Sequence, residues 1–150
     1  MRKPLSLTIL LLVLAGCATP LQGADLDQKL REAGSSVRGF GKESSTFPIE
    51  ADSRMAAWTL EAEARQSGPL PQSRQLARRM DLAAKRHVTL IVGGPYPALT
   101  REIVLGAIDV NAGKPMKGLV LVYVGSAESA KEVRAAAAKV GIRFVQRELP

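Results

Sequence analysis

Three short apolar runs in the second half of the chain alternate with segments of helical pattern. The runs lie at about 88–93, 119–124 and 142–147, and helices are predicted between them over 97–112 and 126–140. Strands that are apolar on both faces and alternate with helices indicate a parallel sheet covered on both sides. The pattern therefore predicts a small three-layer α/β domain with at least three parallel strands. It leaves the strand order open, with a flavodoxin-like order as one candidate.

Two N-terminal helices are predicted before the first of these runs, over 52–67 and 71–87. In the first, Met55, Trp58 and Ala62 share a face, so we expect Trp58 to anchor the core. In the second, the apolar stripe consists of Leu76, Met80, Ala83 and Ala84. The helix at 97–112 is apolar on more than one side, so it either lies deep in the domain or buries a face against another chain.

The residues before position 49 have a weaker hydrophobic periodicity. Asp25, the pair Leu26 and Leu30, and Gly34 fit a short helix, whereas 34–48 is rich in glycine and serine and reads as a loop. We therefore divide the chain into a leader at 1–16, a tether with a short helix at 17–48, and an α/β domain at 49–150.

The leader has the three parts of an export signal. Arg2 and Lys3 give a positive start, about ten apolar residues follow, and small residues precede Cys17. An apolar stretch of this length is about half of what a transmembrane helix needs. An ordinary secretory signal with an incidental cysteine is the alternative interpretation.

The sequence Leu14-Ala15-Gly16-Cys17 resembles the lipobox of bacterial lipoproteins. The resemblance covers only the leader, and it implies cleavage before Cys17 and attachment of a diacylglyceryl group to its sulfur. Two or more acyl chains anchor a protein stably without a spanning helix. Ala18, rather than aspartate, follows the cysteine, which by the same resemblance favours the outer membrane with the domain facing the periplasm. The inner membrane and the cell surface stay open, and we expect no cofactor besides the covalent lipid.

The chain is basic, with a formal net charge of +7. Much of this charge belongs to one side of the helix at 71–87, and the basic residues there are Arg74, Arg78, Arg79, Lys85 and Arg86. An exported protein does not normally meet nucleic acid, so we expect none as a partner. A solubilising face is the simple interpretation, and electrostatic docking to an anionic membrane or an acidic protein is the functional one.

The carboxyl ends of the predicted strands form the usual ligand crevice of a parallel sheet. Candidate lining residues are Gly93, Gly94, Tyr96, Thr100 and Ser126. The turn after residue 92 has neither a dinucleotide fingerprint nor a phosphate loop. Ser126 is also placed to cap the helix that follows it.

Catalytic chemistry finds little support in the sequence. His87 is the sole histidine, and its place on the apolar stripe predicts a packed side chain rather than a base for Ser126. One histidine and one cysteine do not make a transition-metal site. We therefore expect a non-catalytic envelope lipoprotein, an accessory or assembly component of a secretion, export or pilus complex. Its partner would be an envelope protein or a second copy, bound through helix 97–112. A module that binds a small anion, sugar or nucleotide in the crevice is the alternative.

Overall fold

The computed structural model describes residues 21–37 and 43–149, so the leader and Cys17 lie outside the described residues. Within these residues, five helices and four strands follow one another. They are α1 (Gly23–Ser35), β1 (Ser44–Pro48), α2 (Arg54–Ser67), α3 (Pro71–Arg86), β2 (Thr89–Gly93), α4 (Pro97–Val110), β3 (Val120–Val124), α5 (Ala127–Lys139) and β4 (Arg143–Arg147).

The four strands form one parallel sheet in the order β1-β2-β3-β4. The three predicted strands are present as β2, β3 and β4, and the α/β class is confirmed. The sequential order differs from a flavodoxin-like sheet, in which the first two strands exchange places. Consecutive parallel strands joined by crossovers of one hand place the connecting helices on the same side of the sheet.

The two faces of the sheet are covered unequally. On one face, α2 to α5 enclose the main core, which includes Leu90, Leu121 and Tyr123 from the strands. On the other face, α1 is the one described helix that packs against Ile91 and Val122. Alternate residues of each strand therefore serve different layers, as the pleat of a strand requires.

Helix α1 and strand β1 belong to the folded domain. Leu26 and Leu30 of α1 are fully buried, and β1 pairs along its whole length with β2. The short helix was predicted, whereas the interpretation of 34–48 as a loop is wrong for β1, and the described residues 23–37 and 44–48 pack in the domain rather than form a tether. β1 is an edge strand, so its Ser-Ser-Thr-Phe-Pro sequence lacks the continuous apolar run that marks a strand buried on both sides.

Helix α4 lies deep in the domain. Its buried residues include Leu99, Ile103, Val104 and Ile108, which lie on both of its predicted apolar sides. Contacts with α2, α3 and α5 surround it. Its apolar surface is therefore largely buried within this chain, so the helix does not need a second chain to cover it.

Helix α2 is turned the other way from the prediction. Ala57 is buried and Leu60 and Ala64 pack against the core, whereas Met55 and Trp58 are each 66% exposed. The expectation that Trp58 anchors the core is wrong. The small alanines allow α2 to lie close to α4, and the larger apolar residues face outward. The stripe predicted for α3 is confirmed, with Leu76, Met80 and Ala83 buried and Ala84 packed beside them.

Candidate functional site

The two glycines predicted to line a ligand crevice are enclosed by the protein itself. A Cβ atom on Gly93 would lie 2.7 Å from Cδ2 of Leu30. A Cβ atom on Gly94 would lie 2.2 Å from the carbonyl oxygen of Ile49 and 3.0 Å from Oγ1 of Thr100. The space that a glycine leaves for a phosphate in nucleotide-binding turns is occupied here by α1 and by the residue that follows β1. These glycines allow close packing of protein against protein.

Ser126 caps the N-terminus of α5, as the sequence predicts. Its hydroxyl accepts a hydrogen bond from the backbone N–H of Ser129 at 3.3 Å, and the Ser129 hydroxyl donates to the Ser126 carbonyl at 2.9 Å. The phenol of Tyr123 donates to Ser129 Oγ at 3.1 Å. Burial raises the pKa of Tyr123, and the contacts with Ser129 and Arg101 partly oppose this shift. The three side chains thus join β3 to the start of α5.

Tyr96 and Thr100 lie at the same edge of the sheet as the glycines. The hydroxyl oxygens of both are buried without a hydrogen-bond partner among the described residues. Of the five predicted crevice residues, Tyr96 alone lines the shallow cleft between α2 and the start of α4. Its other walls include Trp58, Pro97 and Ala98, so the cleft is mostly apolar. The structure therefore does not join the five residues in one polar pocket.

His87 is exposed, so the expectation of a packed side chain is wrong. It is the residue at which α3 ends, with a left-handed backbone (φ 57°) that turns it out of the helical stripe. It precedes the amino end of β2, whereas Ser126 follows the carboxyl end of β3. Because β2 and β3 pair in register from Thr89 and Val120, at least one strand length, roughly 15 Å, separates the two residues. The structure does not bring this histidine to Ser126.

The basic face of α3 is exposed at all five predicted positions, Arg74, Arg78, Arg79, Lys85 and Arg86. Lys85 pairs with Asp81 at 2.7 Å, and this contact lowers the pKa of the Asp81 carboxyl. The guanidinium of Arg79 lies 5.7 Å from the centre of the Phe47 ring. In the described part of the chain, no carboxylate lies within ion-pair distance of Arg74, Arg78 or Arg86.

Lys114 extends this face in a way that the sequence does not reveal. It lies in the turn between α4 and β3, and it borders a recess with Arg74 and Arg78. The floor of the recess includes Asn111, which is 1% exposed and donates through Nδ2 to the carbonyl of Ala77 at 2.9 Å. Lys114 is far from α3 along the chain, so only the packing of α4 on α3 brings the three cations together. We call Arg74, Arg78 and Lys114 the basic recess.

A second charged cluster joins α2 to α4. Arg65 contacts Glu61 at 2.6 Å and Glu102 at 3.1 Å, and Glu102 also contacts Arg101 at 3.0 Å. The sequence suggests only solvated faces for these acids. Each carboxylate here has a cationic partner, so the cluster fixes the position of α2 rather than offering a reactive group. No group of three histidine, cysteine or acidic side chains that could hold a metal ion occurs in residues 21–37 and 43–149.

None of the described helices has both the length and the apolar character needed to cross a bilayer. Comparison of the chain with protein families, with curated proteins and with solved structures finds no match.

Proposed function

We propose that this chain is a lipid-anchored envelope protein whose α/β domain docks on an acidic partner protein in a secretion, export or pilus complex. The observation that carries the proposal is the sole cysteine of the chain, which stands directly after Leu14-Ala15-Gly16 at the end of an apolar leader. Lipidation at Cys17 would hold the domain at a membrane surface, by resemblance to bacterial lipoproteins the outer membrane on its periplasmic side.

The basic recess is the surface that we assign to the partner. Its three cations are exposed, and no carboxylate lies within ion-pair distance of Arg74 or Arg78 among the described residues. Unpaired cations around a recess attract an acidic surface and orient it, whereas paired ones are already neutralised. Helix α4 is largely enclosed by its neighbours. We therefore assign the partner-binding surface to α3 instead of α4.

Lipidation is tested by labelling cells with a palmitate analogue and by adding globomycin, which blocks the lipoprotein signal peptidase. We expect label on the wild-type chain, build-up of its precursor under globomycin, and neither result for Cys17→Ser. A Cys17→Ser chain that is labelled and processed like the wild type would refute the anchor.

Docking is tested with a photo-crosslinking residue at Gln75, which is exposed on α3 beside the recess. We expect crosslinks to an acidic segment of one envelope protein, identified by mass spectrometry of the joined peptides. The double change Arg74→Glu with Arg78→Glu should abolish them. The same charge change on α5, Lys131→Glu with Lys139→Glu, is the matched control and should leave them intact. Equal loss in both variants, or crosslinks to segments without acidic residues, would contradict the proposal.

A further inference from the structure

We propose that the exposed side of α2 formed by Met55 and Trp58 inserts into the interface of the same leaflet that holds the lipid on Cys17. We call these two residues the α2 apolar face. The inference rests on the proposed lipidation of Cys17, and it assigns to the membrane a second, non-covalent contact. The inference follows from two observations: the place where the chain enters the fold, and the exposed apolar side chains beside that place.

The chain enters the fold next to the start of α2. The side chain of Gln22 donates through Nε2 to the carbonyl of Ala51 at 3.1 Å. The backbone N–H of Gly23 donates to Oε1 of Glu50 at 2.5 Å. Ala51 lies two residues before Ser53, whose side chain caps α2. The first described residues are therefore fixed against the segment that begins α2.

The covalent connection to Cys17 is short. Cys17 and Gln22 are five residues apart, and a chain spans at most about 3.6 Å per residue, so about 18 Å is the greatest separation of their Cα atoms. A lipidated cysteine lies at the membrane surface, since its acyl chains occupy the hydrocarbon. The leaflet therefore lies within that distance of Gln22, whose side chain contacts the segment that begins α2.

The α2 apolar face lies in the first turns of the helix that begins beside this point. Met55 and Trp58 are each 66% exposed and lie three residues apart, on one side of the first turns of the helix. Trp58 also borders the cleft that contains Pro97 and Ala98, which extends the apolar surface along the carboxyl edge of the sheet. Tryptophan is enriched at membrane interfaces because its ring is apolar and its N–H is polar. Side chains of this kind enter about 5–10 Å into the boundary of headgroups and acyl chains.

The charges around the face supply little electrostatic attraction to an anionic leaflet. Arg54 is cationic, but Asp52 and Glu50 lie close by, and Glu61 is paired with Arg65. Because this surface has no excess of positive charge, its membrane contact should depend little on salt.

The same geometry separates the two ends of α3. The start of α3 lies by the chain entry, where Gln72 donates to the carbonyl of Glu50 at 3.2 Å. Sixteen residues rise about 1.5 Å each, so Arg86 lies roughly 22 Å farther along the helix axis. The basic recess lies between these ends, since Arg78 is about 10 Å from the start of the helix.

Trp58 is the only tryptophan, so its fluorescence reports on the proposed contact directly. The lipidated mature protein is purified from cells, its lipid is verified by mass spectrometry, and it is reconstituted in vesicles of phosphatidylethanolamine and phosphatidylglycerol. We expect a blue-shifted emission and quenching by brominated lipids several-fold stronger than for the unlipidated Cys17→Ser chain with the same vesicles. The difference should persist at high salt.

A matched control moves the reporter to α3. The double variant Trp58→Phe with Leu82→Trp places the tryptophan at a position that is 49% exposed and on a different helix. We expect little quenching at this position. Lipidated wild type without quenching, or equal quenching at both positions, would overturn the inference and leave the anchor intact. Absence of the lipid from the purified chain would instead refute the proposed function.

Discussion

The carbonyl oxygen of Ile49 lies 2.2 Å from the position that a Cβ atom on Gly94 would occupy. The backbone N–H of Ile49 also donates to the carbonyl of Gly93 at 2.8 Å. The chain leaving β1 therefore lies against the chain leaving β2, backbone to backbone. No side-chain rotation could relieve a methyl group placed there.

We expect Gly94→Ala to lower the free energy of unfolding by about 1–3 kcal/mol, because the overpacked atom is backbone. Urea denaturation followed by circular dichroism measures it. Gly34→Ala is the comparison, since its Cβ would meet the movable end of Ile91 at 2.1 Å, and alanine also favours the helix by about 1 kcal/mol. A loss in Gly94→Ala no larger than in Gly34→Ala would show that β1 and β2 are not this close.

Trp58 should be dispensable for folding. Because its side chain is 66% exposed, we expect Trp58→Ser to change the free energy of unfolding by less than about 0.5 kcal/mol. Met80 is fully buried, and Met80→Ala should cost about 2–5 kcal/mol in the same measurement. Similar losses in the two variants would mean that α2 packs with Trp58 inward.

The contrast between α2 and β2 shows which parts of the packing can be predicted from the sequence. β2 is apolar at nearly every position because both of its faces are covered, so its pattern allows one interpretation. α2 has two apolar stripes, one with Met55 and Trp58 and one with Ala57 and Ala64. Size favours the first stripe, but α4 accepts the second because alanines permit close contact. The facing helix decides the outcome, and it lies more than thirty residues away.

The surroundings of Gly94 also depend on packing between distant segments. Its position at the carboxyl edge follows from the strand ends and is predictable from sequence. The residues that fill this position cannot be predicted from the sequence. The atom against Gly94 belongs to Ile49, which lies next to a segment whose pattern indicates a loop. The basic recess was found in part, because Arg74 and Arg78 share a helix face, whereas Lys114 joins them only through packing.

Asn111 should contribute to stability through its buried amide. Its Nδ2 group donates to the carbonyl of Ala77 and so fastens the end of α4 to α3. We expect Asn111→Ala to cost about 1–3 kcal/mol in urea denaturation, through loss of this bond. Lys114→Met removes the longer, part-buried contact of Lys114 Nζ with Asn111 Oδ1, at 3.3 Å, and the attraction of Lys114 to Asp81. This variant should cost about 0.5 kcal/mol or less. Equal costs would place the stabilising contact at Lys114 instead.

Tyr123 should make the fold sensitive to alkaline pH. Its phenol is fully buried, and burial raises the pKa of Tyr123 above the ordinary value. A raised pKa means that the folded state favours the neutral phenol. The stabilisation is therefore complete below the unfolded pKa of about 10 and is lost as the pH rises through the folded value.

The comparison of wild type with Tyr123→Phe isolates this effect, because the two proteins differ only in this hydroxyl group. At about pH 8 we expect the wild type to be the more stable by roughly 1 kcal/mol, since its phenol donates to Ser129 at 3.1 Å. At about pH 11 the advantage should shrink or reverse, because unfolding then releases a proton from Tyr123. Urea denaturation at the two pH values measures the difference. If the gap between the two proteins were the same at both, the phenol would ionise as readily in the folded chain as in water, and its burial between β3 and α5 would be wrong.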